Sequence, residues 1–139
     1  MTQGLEPCSK IEIKAVTHWL ANHKANSQGK YAFSYQRTIV NHNPETVQLI
    51  NRYWLITDGN GKQTEVAGRG VVGETPVLDQ GERFTYTSGA ILDTPIGFMQ
   101  GHYEFSLGKP AIRDVTDNTS PRFKAPIDVF TLSVPNTVN

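Results

Sequence analysis

Cysteine occurs once in this chain, as Cys8, so no intrachain disulfide can form, and a reducing cytoplasmic setting suits the sequence better than secretion. An excess of either charge is also missing. Thirteen Lys and Arg residues balance thirteen Asp and Glu, and no run of like charge is longer than two. Binders of nucleic acid or anionic membranes carry clustered cations, because neutralising phosphates and releasing counterions drives their affinity. Neither partner is expected. No apolar run approaches the roughly 20 residues that a membrane helix needs, and the opening MTQGLEPCSK shows no charged and apolar signal pattern. No window sustains the 3.6-residue spacing of an amphipathic helix, so helical content should be close to nil.

What the chain does have is short alternation punctuated by turn formers. Its 139 residues suit a single domain (1–139), large enough to bury a sizeable core, with a frayed segment 1–9 and a tail 135–139. IEIKAVTHW alternates, with Ile11, Ile13 and Ala15 on one face. After the polar ANHKANSQGK, YAFSYQRTIVN sets Tyr31, Phe33, Tyr35 and Ile39 on one face, the clearest strand in the chain. Asn43-Pro44 breaks the pattern.

TVQLINRYWLIT is apolar on both faces, with Val47, Leu49, Tyr53 and Leu55 against Ile50, Trp54 and Ile56, which marks a central strand. DGNGK then turns the chain into the strand KQTEVAG, completing a hairpin. Further strands are expected in PVLDQGERFTYTSG, FMQGHYEFSL and FKAPIDVFTLSV, the last with Pro126 signalling an edge or a bulge. Thr94 to Gly97 reads as a break, and GKPAIRDVTDNTSP as a long surface loop. About seven strands with frequent turns indicate an all-β antiparallel sandwich.

GRGVVG, Gly68 to Gly73, fits the G-x-G-x-x-G spacing that cradles a pyrophosphate at a strand-to-helix turn. The turn Asp79-Gln80-Gly81 comes too soon after Gly73 for a crossover helix, and Gly-Glu-Thr stands where a P-loop needs Gly-Lys-Ser/Thr. Twelve glycines in a chain of this length make such a match a common accident. The glycines are therefore read as structural, supplying positive φ or close backbone approach. The alternative is a backbone nest in which Gly68, Arg69, Gly70 and Gly73 hold a nucleotide or pyrophosphate without any helix.

No catalytic set is recognisable, and neither cofactor nor metal is expected. His18, His23, His42 and His102 lack the spacing of a metal motif. Ser88 lies in TYTSGAI rather than in a nucleophile elbow. Asp114, Asp117 and Asn118 lack the ligand density of a calcium loop, and Trp54 reads as core rather than as a stacking platform.

The pieces YWLITDGNG (53–61), GRGVVGETP (68–76), YTSG (86–89) and LDTPIG (92–97) together are far more specific than the six-residue motif, and with them the chain closely resembles the bacterial ApaG family, also called CorD. Tyr31–Asn41 and Phe130–Ser133 extend the likeness to nearly the whole chain. The resemblance implies a fibronectin type III-like sandwich, no established catalytic activity, an association with cobalt resistance and magnesium efflux, and kinship with domains inside eukaryotic F-box and polymerase-interacting proteins. An unidentified protein partner is the expected ligand, and an exposed strand edge leaves room for a homodimer.

Overall fold

The computed structural model describes residues 10–108 and 121–135. Of the segments expected to be frayed or loop-like, 1–9, 108–121 and 135–139, all but residues 108, 121 and 135 lie outside the described residues, Cys8, Asp114, Asp117 and Asn118 among them. Among the described residues eight strands form two antiparallel sheets. Strands β1 (Ile11–Trp19), β2 (Tyr31–Asn41) and β6 (Arg83–Leu92) make the first, in the order β1-β2-β6. The second runs β4 (Gln63–Arg69), β3 (Val47–Asp58), β7 (Ile96–Leu107), β8 (Arg122–Ser133), with the two-residue β5 (Val77–Leu78) pairing the start of β3.

The alternation of β1 and β2 matches their strands residue for residue, in register Ile11↔Asn41 to Trp19↔Phe33. Two expectations shift. ANHKANSQGK contains a 3₁₀ helix, Lys24–Gln28, begun by His23, whose Nδ1 accepts the Ala25 amide at 3.0 Å, and ended at Gly29. Thr94 to Gly97 is only partly a break, since β7 starts at Ile96: the Thr94 hydroxyl donates to the Ile96 carbonyl and turns the chain within two residues.

The two-faced apolar pattern of β3 has a specific cause. Its pairing with β7 skips a residue between Leu49 and Asn51, so Val47 and Leu49 point into the core before the bulge, and Arg52, Trp54 and Ile56 lie on the inward register after it. A second bulge, between Met99 and Gly101 in the β7–β8 ladder, lets Ile127 and Phe130 both reach the core despite their odd spacing. Pro126 sits in β8, at the sheet edge and beside this bulge, where a missing amide hydrogen is tolerated.

Between the sheets, Phe33, Tyr35, Ile39, Leu49, Trp54, Met99, Tyr103, Phe105 and Leu132 form the core. Burying each such side chain contributes roughly 1.5–3 kcal/mol. Asn41, fully buried, closes the end of this core. Its Nδ2 donates to the Glu45 and Leu78 carbonyls at 2.9 and 3.0 Å, and its Oδ1 accepts the Asn43 backbone and side-chain amides at 3.0 and 2.9 Å. Four satisfied bonds thus hold the 41–45 turn against β5.

Candidate functional site

The segment Gly68–Gly73 lies at the end of β4 and forms a tight hairpin, not a strand-to-helix turn. Val71 and Glu74 exchange both backbone hydrogen bonds at 2.9 Å, with Val72 (φ 43°) and Gly73 (φ 81°) at its tip, the two positive φ values that a two-residue hairpin of this hand requires. Gly70 is also left-handed, at φ 66°, and its amide donates to the Ile50 carbonyl at 2.6 Å. Gly68 pairs directly with Arg52, and the absence of a side chain there lets the Arg52 guanidinium cross it. Arg52 Nη1 then donates to the carbonyls of Arg69 and Gly70 at 3.1 and 2.9 Å.

This geometry bears on the anion nest. The amides of Gly70, Val71 and Glu74 already serve backbone carbonyls, and the side of the loop that meets Arg52 offers carbonyl oxygens. What remains for an anion is the amides at the hairpin tip and the exposed Arg69 side chain.

Under the hairpin lies a cleft of about 150 Å³ lined by Tyr35, Arg52, Trp54, Val71, Val72, Tyr86 and Ser88. Behind its aromatic wall sits a residue that strand pairing placed inside without any motif to announce it. Arg37 is 1% exposed, its Cζ 3.9 Å from the ring centre of Phe130 and 4.6 Å from that of Trp54. Nε and Nη2 have no hydrogen-bond partner among the described residues. Burial holds its pKa below the ordinary guanidinium value, with the nearby phenols a weaker opposing influence. The alternation through Tyr31, Phe33, Tyr35 and Ile39 carries the signal for this placement, since position 37 shares their face.

Opposite Arg37 in the β2–β6 ladder, Tyr86 joins its hydroxyl to that of Tyr103 in a buried pair. Burial pushes the Tyr86 phenol up to about 12 and the Tyr103 phenol higher still. In the unfolded chain a tyrosine titrates near 10, so below pH 10 both states hold the proton and the full stability is present. Above it the unfolded chain releases protons that the folded core retains, and stability falls. Denaturant titrations should show a loss on the order of 2–3 kcal/mol from Tyr86 alone between pH 10 and 12. Tyr86→Phe should make that alkaline limb shallower without abolishing it, since Tyr103 stays buried, and an unchanged limb would show that the Tyr86 phenol is not a source of it.

The remaining sequence candidates stay apart. His18 is exposed on β1, His23 caps the 3₁₀ helix, His42 meets Glu12 at 2.8 Å, and His102 stacks on Tyr53 with ring centres 5.2 Å apart. Burial, then Lys124, holds the His102 imidazole below its ordinary pKa. Among the described residues no three His, Cys, Asp or Glu side chains gather where a metal could bind, and no helix is long and apolar enough to cross a membrane. Ser88 lines the cleft, with no base beside it among the described hydrogen bonds.

The sandwich has one edge unlike the others. β1 carries Glu12 and Lys14, β4 carries Glu65 and Arg69, and β8 carries Lys124, Pro126, Asp128 and a bulge; such features discourage pairing with a further strand. β6 ends its sheet with ten residues, of which Phe84 to Leu92 include no charge and no proline. Tyr86, Ser88, Leu92 and their neighbours face inward, while Thr85, Thr87, Gly89 and Ile91 are exposed. Ile91 and the hairpin-tip Val72 are 56% and 54% exposed beside this edge.

Sheets of three and five strands packed in this order define a fibronectin type III-like β-sandwich. The family model described as "ApaG domain" matches residues 21–107, from the 3₁₀ helix through the glycine hairpin and β6 to the end of β7. The chain is 38% identical to "Protein ApaG" of Pectobacterium atrosepticum over 130 residues, covering 94% of this chain and 96% of that protein. Against "Protein ApaG" of Vibrio vulnificus the identity is 42%, with 94% and 95% covered. Among solved structures, the putative ApaA protein from Bordetella pertussis superposes with a TM-score of 0.79 at 36% identity, covering 91% of this chain and 95% of that one. A structural-genomics target solved by X-ray reaches 0.81 at 35% identity, with 96% and 93% covered. The chain belongs to the ApaG family, as its motifs led us to expect.

Proposed function

We propose that the protein is a non-catalytic binding module that docks a protein partner in the cytoplasm by strand addition to β6. The observation that carries this reading is the free β6 edge. Among the described residues no strand pairs with the side of β6 that faces away from β2; ten residues are long for such an edge, and nine of them lack the charges or proline that normally guard one. Main-chain hydrogen bonds along such an edge supply affinity, and pockets for alternate side chains supply specificity. The clefts beside Tyr86 and Ser88, and beside Ile91 and Leu92, offer such pockets. The association with cobalt resistance and magnesium efflux would then run through the partner.

Thr87 is exposed at the middle of β6, and a lysine there should repel an incoming strand while leaving the core intact. Affinity capture from a lysate of the native organism with the wild-type chain should recover a partner that Thr87→Lys loses, at unchanged thermal stability. Recovery of neither another protein nor the chain's own native copy, or of the same set by both chains, would end this reading.

A further inference from the structure

The occupant of the β6 edge can be argued further, on the footing that this edge is the docking surface. We infer that a second copy of this chain pairs with it, β6 to β6 and antiparallel, about a two-fold axis at Ser88.

Three observations converge on that register. The uncharged stretch Phe84–Leu92 is centred on Ser88, and its flanks carry Arg83 on one side and Asp93 on the other. An antiparallel pairing about Ser88 therefore sets Arg83 opposite the partner's Asp93, twice, with only uncharged residues between. The wider ends also differ in sign. Asp79 and Glu82 accompany Arg83, while Lys30 at 2.7 Å and Lys62 at 3.3 Å accompany Asp93. Each end of β6 thus meets the end of opposite balance on the other copy, and like charges are kept apart.

The side chains match in the same register. Exposed Ile91 falls opposite the partner's Thr85, Thr87 opposite the partner's Gly89, and Ser88 opposite its own copy, so no two bulky groups collide. A shift by one residue in either direction would leave the end charges out of step and turn the paired side chains to different faces.

Symmetry supplies the last step. Each described chain has one unguarded edge, because β1, β4 and β8 carry charges, proline or a bulge. An isologous pairing uses that edge on both copies and stops at two, joining the three-stranded sheets into one of six strands. A long flat edge left open would instead template unlimited association.

The test uses the full chain in a Cys8→Ser background. Directly opposed residues in an antiparallel pair lie about 4.5–5.5 Å apart at Cα, within disulfide reach. Under mild oxidation Ser88→Cys should give disulfide-linked dimers in high yield, and Thr85→Cys should not, its two copies being roughly 20 Å apart in this register. Co-oxidised Thr85→Cys and Ile91→Cys chains should cross-link to each other. By light scattering the wild type should show twice the 15.4 kDa chain mass, and Thr87→Lys the chain mass itself. A wild type that stays monomeric at 0.5 mM (roughly a thousandfold above the Kd of a modest interface), or equal cross-linking of Ser88→Cys and Thr85→Cys, overturns the pairing. If the wild type is monomeric while a different partner from lysate is lost on Thr87→Lys, self-pairing falls and the strand-edge reading stands.

Discussion

Gly70→Ala is expected to destabilise the fold by about 3 kcal/mol and to lower Tm by on the order of 10 °C. Two costs add. A Cβ at this position would lie 2.3 Å from the Glu74 carbonyl oxygen, a backbone atom fixed by the Val71–Glu74 bridge, and φ is 66°, where L-residues are strained. Relief would require opening the hairpin, which would free the buried Val71 and loosen the carbonyls that Arg52 binds. Gly73 makes the control. It is also left-handed, but nothing lies within 4 Å of its missing side chain, so Gly73→Asn should cost less than about 1 kcal/mol. Equal losses in the two variants would show that strain alone, and not the contact with Glu74, sets the cost.

Arg37→Met is expected to act in the opposite direction, stabilising the protein by about 1–3 kcal/mol in denaturant titrations. The guanidinium is 1% exposed and has no ion-pair partner among the described residues. Each unpartnered buried N–H costs about 1–3 kcal/mol, and Nε and Nη2 are two such groups. Against this stand the rings of Phe130, Trp54 and Tyr35, whose attraction for a desolvated cation is about 2 kcal/mol. Methionine keeps much of the length and the ring contacts without the charge. A loss of more than 1 kcal/mol on this substitution would mean that the aromatic stack outweighs desolvation.

The strands and their approximate ends were readable because alternation is a local property. IEIKAVTHW and YAFSYQRTIVN correspond to β1 and β2 at both ends, and Pro126, which signalled an edge or a bulge, lies in the edge strand β8 beside one. Less legible were the features set by distant neighbours. Ile50 interrupts the register of β3 only because β7 lies opposite with one residue fewer, so the segment reads as apolar on both faces when it is inward on one parity and then on the other. Arg37 shares the face of Tyr35 and Ile39, yet a charged residue in a core position is visible as such only once Trp54 and Phe130 are seen around it.

The candidate site shows the same division. GRGVVG stood out in the chain, but its spacing records a hairpin and a crossing guanidinium. The β6 edge left no mark of its own, because sheet order depends on which strands come together. TYTSGAI looks like any other half-buried strand until β2 is found on one side of it and none of the described strands on the other.

The extra residue at Ile50 also decides where Arg52 goes. Without that one-residue step Arg52 would share the outward parity of Gln48, and its guanidinium could not cross Gly68 to the carbonyls of Arg69 and Gly70. The hairpin's shape is therefore written partly in a strand nearly twenty positions earlier. Lengthening or shortening β3 by a single residue would be felt first at the glycine loop, so the two segments constrain each other's drift as if they were one inherited unit.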